Sequence, residues 1–330
     1  LTTSVTVDTA EGKTVERVVP KPEFIRHRAI FFFENENGAP DLQYLVYAIP
    51  DLLGDDLSQD MYMDVLDGPL ATATRMWRAG LDPLADPSRS MMRSFARRIH
   101  ADQDLQGSFA RTDSLWSIRM ALYESESDRL TTERTFEGED VLSLIDEGSI
   151  FIRRALGIPE PHIERAVDLA VSQTHTAFLE ALSAYAYGSL GFARQEDLDK
   201  ALADIDRALE IDPEFCLAHM VRSLILLTKG DAAGAQESTA EALKQEHRVS
   251  ERWRLTLRVV HFATIPDRES LLRVARTWGE LYPYDVKPFE LKAIFHAVQG
   301  EPEEARAALE EALRRDPARA DLLLMLGEQC

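Results

Sequence analysis

The sequence predicts a multi-domain chain of the α+β/α class, in which a small mixed-sheet α/β domain precedes an all-α superhelix of helical hairpins. Three observations predict it. Ala201, Ala208 and Pro213 recur 104 residues later as Ala305, Ala312 and Pro317, with Ile205 and Leu309 at matching positions. Between them, Ala235 and Ala242 follow the first pair by 34 residues, and Pro283 precedes Pro317 by 34. A fixed period of this length marks stacked helical hairpins, which bury a continuous core only by packing on one another. Upstream, short apolar runs alternate with helix-period segments, the pattern of helices laid on a sheet. Finally, 330 residues with 45% hydrophobic content suffice for two domains with cores of their own.

Residues 1–24 read as a hairpin or stalk. Ser4-Val5-Thr6-Val7-Asp8 and Thr14-Val15-Glu16-Arg17-Val18-Val19 alternate around a turn at Ala10-Glu11-Gly12-Lys13, and Pro20 and Pro22 end the pattern. Residues 25–160 form the predicted α/β domain. Arg28–Asn35 is a short apolar strand buried on both faces, with at least two of Phe31, Phe32 and Phe33 in the core. Asp41–Asp60 has helical spacing, Met61–Leu66 is a short strand, and Thr72–Ala79 and Ser88–His100 are helical. Three antiparallel strands follow at Asp104–Arg111, Ser114–Glu124 and Arg129–Phe136, then an amphipathic helix over Val141–Leu156 that stops at Gly157 and Pro159. Residues 161–174 are the expected linker.

Residues 175–330 carry the repeat, about four units with the last truncated. Small Ala residues let paired helices approach closely, Gly230 and Gly300 free the backbone between them, and Pro stops the second helix. The departures are one extra residue in the first unit, His247 where Pro is expected, and a degenerate third unit with Leu271, Ala275 and Trp278. This segment resembles the tetratricopeptide (TPR) repeat family. The resemblance implies a protein or peptide ligand on the concave face lined by the first helix of each pair, where Tyr185, His219, Arg222, Phe289, Lys292 and His296 lie.

The α/β segment is similar to the TolB-like N-terminal domain that precedes TPR repeats in bacterial signalling proteins. The carriers are Phe32-Phe33-Glu34-Asn35 through Tyr44-Leu45, Leu57-Ser58-Gln59-Asp60, Leu105-Gln106-Gly107-Ser108-Phe109, Phe136-Glu137-Gly138-Glu139-Asp140, Leu144-Ile145-Asp146-Glu147 and Ala155-Leu156-Gly157-Ile158. The stretch around Val18-Val19-Pro20-Lys21-Pro22 resembles the linker of the Ser/Thr kinase-associated group. That resemblance implies an upstream kinase, cyclase or transcription regulator. It places this piece outside the cytoplasm if it follows a membrane helix, and inside if the parent is soluble. The start at Leu1 and the final half-repeat are expected of an excised piece of a larger protein.

No chemistry-bearing motif stands in the chain. There is no Gly-rich phosphate loop, no Asp-Phe-Gly, no Gly-x-Ser-x-Gly, no His-Glu-x-x-His and no Cys-x-x-Cys, so no catalytic, cofactor-binding or metal-ligating residue is assigned. The eight histidines are scattered, with no two at metal-ligand spacing on one helix. Cys216 falls in a helix as a small buried hydrophobe, and Cys330 ends the chain. A net charge of −20 excludes nucleic acid and anionic membrane surfaces as partners. No apolar run approaches membrane-spanning length.

One charge pattern stands out. From Ala29 to Thr74 there are nine acidic residues and no Lys or Arg, and the next 24 residues carry six arginines. The acidic groups are either solvated helix faces paired in part with those arginines, or a docking face at Asp51, Asp55, Asp56 and Asp60 for a basic partner or a second copy of the domain. Helical spacing makes Asp51, Asp55 and Asp56 a poor calcium site, since calcium takes a ligand-rich loop. The function expected is a non-enzymatic sensory or scaffolding region. The alternatives are the regulatory part of a membrane-bound Ser/Thr kinase, or an α/β domain with a small-molecule pocket at the strand ends.

Overall fold

Strand-forming alternation and helix periodicity generate two groups of elements in the computed structural model, which describes residues 2–8, 13–21, 24–65, 76–77, 88–166, 168–195, 197–265 and 267–315. One group spans Arg26–Ser250; the other joins Leu1–Ile25 to Glu251–Cys330.

In the first group, β3 (Arg26–Asn35) is the centre of a five-stranded sheet. It pairs in parallel with β4 (Met63–Val65) on one side and β5 (Gln103–Thr112) on the other. β6 (Leu115–Glu124) and β7 (Leu130–Gly138) extend the sheet antiparallel, giving the order β4-β3-β5-β6-β7. The predicted mixed sheet is therefore present. Tight turns at Asp113 and Asp128, both at positive φ, join the antiparallel strands; short Asp side chains tolerate that region better than branched ones. Phe31 and Phe33 are buried as expected, whereas Phe32 is partly exposed.

Helix α1 (Leu45–Leu57) crosses from β3 to β4, and α2 (Arg89–Arg98) leads into β5 with Ser88 as its N-cap. Phe31 meets Phe95 of α2 edge-on at 6.2 Å, while Phe32 tilts against Tyr47 of α1. The helix predicted over Thr72–Ala79 lies outside the described residues except for Met76 and Trp77, which are helical. Helix α3 (Val141–Ala155) starts at Asp140, whose carboxylate accepts from the backbone N–H groups of Leu142 and Ser143. Such a cap contributes about 1 kcal/mol.

The segment expected as a linker contains two short helices, α4 (Glu160–Ile163) and α5 (Val171–Thr174). Gln59 clasps it by donating to Leu169 O at 2.8 Å and accepting from Leu169 N at 3.0 Å. The Val171 N–H donates to Asp146 at 3.0 Å. Two antiparallel helical pairs complete this group: α6 (Leu179–Arg194) with α7 (Leu198–Ile211), and α8 (Cys216–Thr228) with α9 (Ala232–Lys244).

The second group holds two more pairs, α10 (Glu251–Thr264) with α11 (Arg268–Leu281) and α12 (Lys287–Val298) with α13 (Pro302–Arg315). With them goes the hairpin of β1 (Thr2–Asp8) and β2 (Thr14–Pro20), which packs on α11 and pairs Arg17 with Glu251 at 3.7 Å. The two groups divide at Ser250/Glu251, just after the 3₁₀ turn at Glu246–Arg248 where His247 replaces the expected Pro.

The repeat positions do what their sizes require. Ala201, Ala208, Ala235, Ala242, Ala305 and Ala312 are all buried at the seams between paired helices. At Gly188 a Cβ would stand 2.7 Å from the Ile205 side chain and 3.0 Å from the Ala201 carbonyl oxygen, so glycine lets α6 approach α7 closely. Gly230 and Gly300 adopt φ of 83° and 74° at the turns, and Gln195 takes the same left-handed conformation in the first pair. Asp197, Asp231 and Asp267 cap α7, α9 and α11. The degenerate third unit fills its seam with Leu271, Val274 and Trp278 packed against Leu255, Val259 and Phe295.

Candidate functional site

The side chains expected on the concave helical face divide into framework and surface. Tyr185 on α6 is buried, its ring tilted against Phe215 at 4.7 Å, with its hydroxyl pKa pushed well up by burial. Arg222 on α8 is a strut, bonded to Asp206 of α7 at 2.6 Å and to Ser238 of α9 at 2.7 Å. His219 bonds the Pro213 carbonyl at 2.9 Å, and burial lowers its pKa. These three lie in the first group of elements.

In the second group, Phe289 on α12 packs against Ala308, Leu309 and Ala312, with the Arg315 guanidinium 3.8 Å over its ring. His296 is buried and bonds Glu301 at 2.8 Å. Lys292 is half-buried, and burial lowers its pKa. The exposed apolar residues of α12 are instead Ile294 at 48% and Val298 at 78%, four residues apart on one helix face. Phe178 and Tyr187 are likewise exposed on the first pair. Residue type alone favoured aromatic and charged side chains; the usable signal was position, since Ile294 and Val298 fall out of phase with the seam.

The acidic docking face expected at Asp51, Asp55, Asp56 and Asp60 is corrected at its last two members, while Asp51 and Asp55 are partly exposed. Asp56 and Asp60 are buried, at 3% and 2% exposure, and neither presents a surface. Asp56 faces Arg153, itself 1% exposed, whose Nη2 donates to the Asp56 carbonyl at 2.7 Å and lies 3.3 Å from its carboxylate. The same guanidinium grips Asp168 with two bonds of 2.6 and 3.0 Å. Burial pushes the Asp56 pKa up to about 7, with Arg153 opposing. Asp60 meets His162 at 3.2 Å, and Asp64 meets His27 at 3.0 Å.

Among the described residues, the arginines that follow pair with later carboxylates. Arg89 pairs with Asp104 at 2.8 Å and Asp128 at 2.6 Å, and Arg97 with Glu126 at 3.1 Å. Arg75 and Arg78 lie outside the described residues. Histidines and Arg153, remote in sequence, serve the acidic run instead. No local pattern could have announced that.

Asp51 and Asp55 occupy one face of α1 a turn apart, at the junction with the first helical pair. His175, which follows α5, brings Nε2 to 3.1 Å from Asp55 Oδ2. Tyr47 stands one turn before Asp51 on the same helix, and Tyr185 and Phe215 wall the imidazole edge-on at 6.4 and 6.2 Å. Burial, then the Asp55 charge, raises the Asp51 pKa well above the carboxylate range. Among the described residues, Asp51, Asp55 and His175 form the group whose ligand atoms all lie within 4.8 Å of one another. Cys216 takes no part: its thiol donates to the Ala242 carbonyl at 3.4 Å, and burial pushes its pKa up to about 12.

No protein-family model and no curated protein matches the chain. Among solved structures, the LpoB C-terminal domain from Salmonella enterica is similar at TM-score 0.29 and 15% identity, over 34% of this chain and 82% of that one. YrrB, described as a TPR protein with an unusual peptide-binding site, is similar at TM-score 0.21 and 16% identity, over 44% of this chain and 91% of that one. Likeness at this level adds nothing to what the elements themselves show. No helix among the described residues is long and apolar enough to cross a membrane.

Proposed function

We propose that this chain is a non-enzymatic protein- or peptide-binding scaffold of a bacterial signalling protein, with a TolB-like α/β layer fused to TPR-like helical pairs. The observation that carries it is the exposed pair Ile294 and Val298 on the first helix of a helical pair, beside half-buried Lys292. An apolar pair one turn apart with a cation nearby suits an amphipathic or extended segment with an acidic flank. Phe289 and His296 brace the pair of helices that presents this face. The resemblance to kinase-associated sequences extends the proposal to the regulatory part of a membrane-bound Ser/Thr kinase, which would place the region outside the cytoplasm.

Selection from a displayed peptide library, followed by fluorescence polarisation, tests the binding claim. The double substitution Ile294→Glu with Val298→Glu is expected to weaken selected peptides at least tenfold with the far-UV circular dichroism unchanged. Undiminished affinity in the double variant, or a library that yields no binder, would overturn it.

A further inference from the structure

We propose that Asp51, Asp55 and His175 form a site for one divalent transition-metal ion, Zn²⁺ foremost, joining α1 of the sheet layer to the start of the helical pairs. This goes beyond the binding role and does not rest on it.

The donors are correctly typed. One imidazole and two carboxylates suit Zn²⁺ and its first-row neighbours, whereas Ca²⁺ and Mg²⁺ take oxygen-only sets. Two carboxylates and one dication sum to zero charge, which a semi-buried corner tolerates far better than two bare anions.

Geometry supplies the independent argument. His175 is 1% exposed, yet its Nε2 has no hydrogen-bond partner among the described residues. Asp55 Oδ2 is close, at 3.1 Å, but off the line a ring N–H would need. Two ligands of one ion stand in this way: donors about 2.0–2.2 Å from a shared Zn²⁺ sit roughly 3.0–3.5 Å apart, each aimed at the ion and not at the other.

The other ring nitrogen is fixed accordingly. Thr174 Oγ1 lies 3.1 Å from Nδ1 and is placed to donate its own proton to the Val171 carbonyl at 3.4 Å. Nδ1–H therefore donates to Thr174, which leaves the Nε2 lone pair facing the carboxylates. An outer partner on the second ring nitrogen is a regular feature of metal-bound histidine. The aromatic walls of Tyr185 and Phe215 restrict water on the imidazole side.

The test uses the full chain, stripped with EDTA and dialysed, then titrated with Zn²⁺ by calorimetry alongside Mg²⁺ and Ca²⁺. The expected result is one equivalent of Zn²⁺, a higher thermal midpoint, and no comparable response to Mg²⁺ or Ca²⁺. Asp55→Asn and His175→Gln are each expected to weaken Zn²⁺ at least tenfold and to abolish the thermal response. If a variant fails to fold, zinc-edge X-ray absorption on the wild type decides: imidazole scattering mixed with oxygen ligands supports the site, and oxygen-only scattering overturns it. No uptake by the wild type, or uptake unchanged in folded Asp55→Asn, would equally overturn it.

Discussion

The sheet layer and the helical pairs fill their interiors by opposite means. The layer buries long and charged side chains: Arg28, Arg153, Asp56, Asp60 and Asp104 all lie inside, each held by specific partners. The helical pairs fill their seams with alanines, branched apolar groups and single aromatics such as Trp278, and many of their ion pairs, such as Arg207 with Glu180, sit in solvent. A buried charge is expensive unless paired, so the layer depends on a few irreplaceable contacts. A seam of small residues depends on close approach along its whole length. Substitution should therefore injure the layer by unpairing and the helices by crowding.

The largest expected effect tests the first half of that contrast. Arg153→Met leaves Asp56 without its cation and should cost about 3–5 kcal/mol, measured by urea unfolding at neutral pH. Arg207→Ala, with both partners exposed, should cost less than about 1 kcal/mol. Equal losses would erase the distinction. Next in size, Ala242→Leu inserts three carbons into a seam where the alanine is fully buried and should cost about 1–3 kcal/mol. A neutral result, read from the same unfolding curves, would mean that α8 and α9 separate freely.

The smallest effect concerns pH. Burial raises the Asp146 pKa to about 6, and the bond to Asp64 raises that of His27 above its ordinary 6.5. An unfolded Asp titrates near 3.9. Between pH 4 and 6 the folded chain thus holds more protons at Asp146 than the unfolded one, and stability falls as pH rises. His27 acts with the same sign higher up: its contribution is complete below about 6.5 and is lost as pH rises through its raised folded value. In EDTA, stability from urea unfolding should be lower at pH 8 than at pH 5.5; Asp56, raised to about 7, adds to the fall, and the part carried by Asp146 and His27 should be less than about 1 kcal/mol after solvent screening. Asp146→Asn should flatten the acid part of the curve and His27→Gln the upper part. A midpoint that climbs over this range would reverse the assignment.

Much of the fold was legible because its signals are local. Strand alternation placed β5, β6 and β7 to within a residue or two, and α3 starts at Val141 and stops before Gly157 as expected. The 34-residue phase located the Ala seams of α7, α9 and α13. The site was legible only in part. Aromatic and cationic residues on the first helices looked like cargo contacts, yet Tyr185 and Arg222 are spent on the framework. Asp51, Asp55, Asp56 and Asp60 looked like a surface because nothing within helical reach could neutralise them.

The sequence by itself determined the periodicities, the turns and the small-residue seams, since each follows from backbone geometry over a few residues. Tertiary structure alone decided which charges go inside and what meets them. Asp55 and His175, like Asp56 and Arg153, are brought together from about a hundred residues apart by the packing of α1 against α3, α5 and α6. Burial and pairing are properties of the assembled interior, where desolvation makes each partner obligatory, and no local pattern encodes them.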